Sequence, residues 1–365
     1  MKLFECQHCG QVLYFENSRC ERCRYRLGYI PEEGLLSALE RTENGDWSPV
    51  GRPEHRYRFC TNAEHDVCNW LVPAGTAEPY CVACRHNATI PDLSDPRNLL
   101  SWRKIEAAKH RLFYTLLKLG LPLATHHEDP AHGLVFHFLA DTPGENSPKV
   151  MTGHDNGAIT VALAEADDVE REKRRNAMGE PYRTLLGHFR HEVGHHYWDL
   201  LVRDGGRVED FRALFGDERS DYGEALKRHY AEAPPPDWQT KFVSTYASSH
   251  PWEDFAETWA HYLHIVDTLE MAAAFGLTVR ARTSAGNDLT ASFDIDPYEV
   301  GDIQSLVDAW LPLTFALNSL NQTMGQTDLY PFVLSPAVIG KLGFIQDLVR
   351  TGPRAELTPS ASDEN

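Results

Sequence analysis

No run of apolar residues in this 365-residue chain approaches the roughly 20 that a helix needs to cross a membrane. The opening Met1-Lys2-Leu3-Phe4-Glu5-Cys6-Gln7-His8 lacks the apolar stretch of a secretory leader, so a cytoplasmic setting is expected. Positive charge is also scarce. The 35 Lys and Arg face 53 Asp and Glu, a formal net charge of −18. That balance argues against nucleic acid as the main partner and fits a neutral or basic peptide. Cysteine is missing from everything after Cys84, yet eight stand within the first 84 residues. Without a leader, a disulfide framework is not expected, and metal binding in a reducing compartment is the better reading.

What is present is ordinary in bulk. Hydrophobic residues make up 42% and charged residues 24%, as in soluble globular proteins, and the length suits two or three domains. The cysteines fall into two sets. Cys6, Cys9, Cys20 and Cys23 form two C-x-x-C knuckles, with Gly10 suited to the turn after the first. Cys60, Cys68, Cys81 and Cys84 follow, the last two again a knuckle. Tetrahedral zinc takes four soft donors, so two structural zinc ions account for all eight thiols, paired either sequentially or interleaved. Residues 1–95 hold ten Lys and Arg against fourteen Asp and Glu. The region therefore reads as a scaffold or a surface that docks a protein partner.

Pro91-Asp92-Leu93-Ser94-Asp95-Pro96 marks a boundary. Beyond it, Ser101 suits a helix N-cap, and Ile105, Ala108, Leu112, Leu116 and Leu117 recur at helical spacing until Gly120 and Pro122. Residues 134–139 and 158–163 read as strands, with Pro143-Gly144 breaking the connection. An open strand edge ahead of a catalytic helix can bind an extended peptide by strand addition. Glu165–Arg175 reads as a solvated charged helix, and Gly179-Glu180-Pro181 as the start of the next.

That next helix carries Arg190-His191-Glu192-Val193-Gly194-His195. In H-E-x-x-H the two His lie one turn apart on one face and can grip one metal, with Glu192 beside it as general base for a water. A third ligand is needed. Residue 201, where one spacing would place it, is Leu201. Pro251-Trp252-Glu253-Asp254-Phe255-Ala256-Glu257 supplies a helix with one apolar face and an acidic stripe. Glu253 is the expected ligand, and Glu257 the acceptor for the other N–H of a ligand His. Asp199 is the alternative ligand or a supporting acid. Tyr246 or His250 can donate a hydrogen bond to the developing oxyanion, and the chemistry alone does not choose between them.

H-E-x-x-H followed by Tyr246 and, seven residues on, Glu253-Asp254-Phe255-Ala256-Glu257 resembles the gluzincin metallopeptidases, in particular the catalytic domain of anthrax lethal factor. The resemblance implies Glu253 as third ligand and raises Tyr246 above His250 as oxyanion donor. More widely, Cys6-Gln7-His8-Cys9-Gly10, Cys68-Asn69-Trp70-Leu71-Val72-Pro73, residues 182–192 and His250-Pro251-Trp252-Glu253 resemble a bacterial family of zinc-binding metallopeptidases with an N-terminal zinc ribbon.

The expected architecture is α+β and mainly helical. A rubredoxin-like zinc-ribbon module over 1–95 precedes a gluzincin-like metallopeptidase domain over 96–350 and a disordered tail over 351–365. One catalytic and two structural zinc ions are expected, with a peptide or protein as substrate. The alternative is a non-enzymatic docking protein whose H-E-x-x-H zinc is structural.

Overall fold

The computed structural model describes residues 2–142, 149–178, 183–281 and 290–355. They form two compact units: one runs to Glu170 and takes in Arg354 and Ala355, and the other spans Arg171–Pro353. No helix among the described residues is long and apolar enough to cross a membrane.

The first unit begins with an antiparallel pair, β1 (Phe4–Glu5) and β2 (Val12–Leu13). Five antiparallel strands follow in simple meander order: β3 (Arg26–Ile30), β4 (Leu35–Arg41), β5 (Trp47–Pro49), β6 (Tyr57–Phe59) and β7 (Leu71–Pro73). Short strands such as these bury little alone. Here Phe15, Tyr29 and Trp70 interlock beneath them, with Tyr29 and Trp70 ring centroids 4.7 Å apart.

β8 (Asn87–Thr89) then joins a second sheet of order β10-β11-β9-β8, with β9 (Val135–Leu139), β10 (Gly153–Asp155) and β11 (Ala158–Ala162). β9 runs parallel to both β8 and β11, and β10 forms an antiparallel edge. Both expected strands are thus present. Along β9, Phe136 and Phe138 point into the core while their neighbours are half-buried, the period-2 pattern of a strand with one buried face. Pro143-Gly144 lies outside the described residues.

α1 (Pro96–Lys118) opens earlier than Ser101. Asp95 is the N-cap, its carboxylate accepting from the Arg97 N–H at 2.9 Å, and Pro96 fills the first helical position, where no N–H is needed. The Pro-rich stretch expected to separate domains therefore starts a helix. Tyr114 on α1 packs its ring 5.5 Å from Phe15. With β8 paired to β9 and α1 packed on the ribbon aromatics, the boundary that the sequence suggests near Asp95 lies within the first packing unit, which runs to Glu170. The acidic run from Glu165 is also not all solvated: Glu165 is fully buried in a 3-10 turn, and α2 (Asp168–Met178) begins after it.

The second unit is mostly helical, so the chain as a whole is mixed α+β. It holds α3 (Leu185–Tyr197), α4 (Val208–Phe215), α5 (Tyr222–Ala231), α6 (Pro251–Ala274), α7 (Ile303–Thr323) and α8 (Pro336–Thr351), with a hairpin of β12 (Thr278–Arg280) and β13 (Thr290–Ser292) that the sequence did not suggest. Gly179-Glu180-Pro181 lies outside the described residues; the described helix starts at Leu185, capped by the Thr184 hydroxyl accepting from Gly187 N–H. α8 ends at Thr351, and residues 356–365 of the expected tail lie outside the description.

α3 and α6 pack closely, and Gly194 is the reason. A Cβ there would stand 3.0 Å from Ala256 Cα, 3.3 Å from the Ala256 carbonyl oxygen and 3.3 Å from Trp259 Cβ. One turn on, Tyr197 stacks on Trp259 at 5.0 Å. Gly194→Ala is expected to cost about 1–3 kcal/mol by overpacking against backbone. A calorimetric scan should show a melting temperature several degrees lower; an unchanged one would mean the helices part without cost.

Candidate metal centre

His191 and His195 stand one turn apart on α3, their rings edge to face at 5.0 Å. Glu253 lies in the first turn of α6, where the helix dipole favours a carboxylate. His191 Nε2 is 3.0 Å and His195 Nε2 3.5 Å from the same oxygen, Glu253 Oε2. One ligand atom from each of the three residues falls within a 4.8 Å group. Tetrahedral zinc with bonds of about 2.0–2.1 Å sets ligand–ligand edges of about 3.4 Å, so these donors fit a zinc ion.

The surroundings fix the donors. His191 Nδ1–H donates to Glu257 Oε1 at 2.8 Å, which turns the lone pair on Nε2 towards Glu253. The Ser244 hydroxyl donates to the other Glu257 oxygen at 2.7 Å. The Tyr222 hydroxyl donates to Glu253 Oε1 at 2.6 Å, leaving Oε2 to face the imidazoles. The His195 ring lies against Trp252, centroids 3.9 Å apart. Sequence reasoning missed Tyr222 and Ser244. Tyr222 follows the α5 N-cap, Asp221, and no spacing ties it to Glu253.

The other expected residues take different places. Tyr246 sits with its ring 5.9 Å from the His191 ring. His250 is the N-cap of α6: its Nδ1 accepts from the Trp252 N–H at 3.1 Å, and its Nε2–H donates to the Ser220 carbonyl at 3.1 Å. Asp199 lies in a π-helical turn over Trp198–Arg203 that continues α3, where it pairs with Arg203 at 2.7 Å. Glu192 is half-buried beside the two His.

Burial shapes the charges. It pushes the Glu192 carboxyl up, against the pull of His191 and His195. For Glu253 burial acts the same way, but His195 and His191 outweigh it and hold the carboxyl well below the usual range. Burial, then the Glu253 charge, keeps Tyr246 and Tyr222 protonated as hydroxyl donors.

Further along α6, burial and then the Arg190 charge lower His264 to about 3, and its Nδ1 accepts from Arg190 Nη1 at 3.2 Å. Burial also lowers His261 to about 4. Both values lie below the unfolded value of about 6.5. The unfolded chain therefore binds more protons as pH falls below about 6.5, and stability drops by up to about 1.4 kcal/mol per pH unit for each His until the folded form titrates. Melting temperatures from pH 7.5 to 5 should fall with this slope, and His264→Gln should flatten it. An equal slope in both proteins would show that His264 does not take part.

In the first unit the thiols gather sequentially. Cys6, Cys9, Cys20 and Cys23 form one group and Cys60, Cys68, Cys81 and Cys84 another. In the first, Cys6–Cys23 and Cys9–Cys20 sulfurs are each 3.6 Å apart, close to the edge of about 3.8 Å in a zinc–thiolate tetrahedron. The second is fully buried and has two neighbours on α1 that sequence reasoning passed over, Glu106 and His110.

Comparison with known proteins agrees with this division of labour. Residues 98–348 match a family model described as "Putative zinc-binding metallo-peptidase", and residues 3–95 match a zinc-ribbon domain model. An uncharacterized protein of Mycobacterium tuberculosis is 42% identical over 350 residues, covering 96% of this chain and 95% of its own length. One from Mycobacterium bovis matches equally, at 42%. No solved structure matches the chain significantly. With a ribbon of gathered thiols ahead of an H-E-x-x-H helix, the chain belongs to this zinc-binding metallopeptidase family.

Proposed function

We propose that the chain hydrolyses peptide bonds with zinc held by His191, His195 and Glu253. The observation that carries this reading is the convergence of both Nε2 atoms on one Glu253 oxygen, with Glu192 alongside. A zinc ion held by these residues would supply a Lewis acid and lower the pKa of a water from 15.7 towards about 7. Glu192 would hold the proton given up by an attacking water on its carboxylate and deliver it to the leaving amine nitrogen. The Tyr246 hydroxyl donates a hydrogen bond to the scissile carbonyl oxygen as charge grows there. Glu257, anchored by Ser244, fixes the His191 tautomer. Tyr222 fixes Glu253. Two further zinc ions in the ribbon serve structure.

The test is a peptide-library digest of the full chain before and after a chelator, and again after zinc is restored. Cleavage should vanish and return while the fold survives, because a site with an open position loses metal more readily than one closed by thiolates. No cleavage of any peptide by protein with full zinc content would leave the structural, docking role instead.

A further inference from the structure

A pocket of about 280 Å³ opens in the second unit. Trp238, Phe242 and Val243 line it from the stretch before Tyr246, and Phe332 and Val333 from the stretch before α8. The two stretches are tied in place. The Ser335 hydroxyl donates to the Thr240 carbonyl oxygen at 3.0 Å, and the Lys341 ammonium donates to the Lys241 carbonyl oxygen at 2.7 Å. Lys341 Nζ also stands 4.5 Å from the centre of the Phe242 ring, and the Phe332 ring packs against His261 at 4.4 Å. The walls are therefore braced before anything binds, as in most ligand sites.

Ser244 joins this pocket to the metal centre. It lines the pocket and donates to Glu257 Oε2, while Glu257 Oε1 takes the His191 Nδ1–H. Two hydrogen bonds, one carboxylate and one imidazole ring thus separate the Ser244 hydroxyl from His191 Nε2, a span of no more than about 10 Å. Thr245, also in the lining, is the chain neighbour of Tyr246. An extended peptide advances about 3.3 Å per residue. A side chain two or three residues from a bond held between His191 and Tyr246 therefore reaches the pocket.

The lining selects what can enter. Among the described residues, none that lines the pocket is charged. The Ser244 hydroxyl is committed twice, donating to Glu257 and accepting the Ala247 N–H at 3.0 Å. A charged side chain would lose its water and gain no counter-charge. An aromatic ring would meet Trp238, Phe242 and Phe332, against which it can pack offset or edge to face. An apolar cavity of about 150 Å³ already holds benzene, so this pocket has room for an aromatic side chain.

We propose that this pocket is a specificity site that takes one aromatic side chain of the substrate, within three residues of the cleaved bond. The proposal rests on peptide hydrolysis at His191, His195 and Glu253, and adds which peptides are cut.

Binding and cleavage are measured separately, so that the two readings can fail separately. The zinc-loaded Glu192→Gln chain is titrated calorimetrically with three blocked tripeptides, Ala-Phe-Ala, Ala-Ala-Ala and Ala-Glu-Ala. The Phe peptide should bind about 10-fold or more tighter than the Ala peptide, and the Glu peptide no tighter than Ala. Adding Val333→Trp, at an exposed position of the lining, should fill the pocket and erase the Phe advantage. In parallel, the products of a peptide library cut by the parent chain should carry Phe, Tyr or Trp at one fixed position within three residues of the cut. Val333→Trp should shift that position to small residues. Equal affinities, or no binding by any of the three peptides, would overturn the proposal, as would a Phe advantage that survives Val333→Trp. Cleavage with no aromatic at a fixed position would overturn it too, and would leave hydrolysis standing. Phe-selective binding that Val333→Trp abolishes, in a chain that cuts nothing, would uphold the pocket and remove the hydrolytic reading instead.

Discussion

Replacing Glu192 by Gln is expected to keep the zinc and to slow peptide hydrolysis by about 10²–10⁴-fold, the usual contribution of a general base. Gln keeps the size of the side chain and its half-buried place beside His191 and His195, but it cannot take a proton. Among the described residues Glu192 is grouped with no other donors as a ligand, so metal content should match the parent. Burial raises its carboxyl pKa, which brings a base nearer to the pH at which it must work. Zinc per chain and turnover of a cleaved library peptide are the two readouts. A variant that cuts as fast as the parent would remove Glu192 from the reaction, and one that loses zinc would make it part of the metal site.

Glu253→Ala should behave in the opposite way and lose the metal itself. Removing a group that only orients a ligand typically costs about 10–100-fold in metal affinity, so removing a ligand should cost more. The substitution also strips the Tyr222 hydroxyl and both imidazoles of the carboxylate they share. Two His on one helix remain, too few to hold zinc firmly. The variant should elute from dialysis with one zinc fewer per chain and no activity. It should also lose the rise in melting temperature that added zinc gives the parent, because only binding to the folded state produces that rise. Retention of the zinc with activity would move the third ligand elsewhere.

The contrast between these variants follows from what the sequence could and could not express. His191, Glu192 and His195 are legible because a helix brings i and i+4 together within a few residues. Glu253 and Glu257 are legible because they repeat that spacing on a second apolar-faced helix. The long strands and α1 are legible by period, although the cap at Asp95 was read six residues too late, at Ser101, because Pro96 looked like a boundary. Tyr222, Ser244 and His110 were not legible. Each reaches its partner through tertiary packing across 31, 13 and 42 residues of chain. Gly194 was hidden for a related reason: its value is a missing side chain opposite Ala256, and the sequence does not say what lies opposite. The extent of the first packing unit was not legible, since the pairing of β8 with β9 joins strands on either side of the Pro91–Pro96 stretch and no local signal announces it.

That pairing bears on how the chain can be taken apart or recombined. A protease or an engineer cutting near residue 95 would leave β9 with one unsatisfied edge beside Phe136 and Phe138, an invitation to aggregate. The ribbon fragment would lose the helix that covers Phe15 and Tyr29. The two regions recognised by separate family models are therefore poor candidates for exchange. A ribbon transplanted from a relative would need to bring its own matching version of α1, so ribbon and helix are best inherited, expressed and varied as one piece.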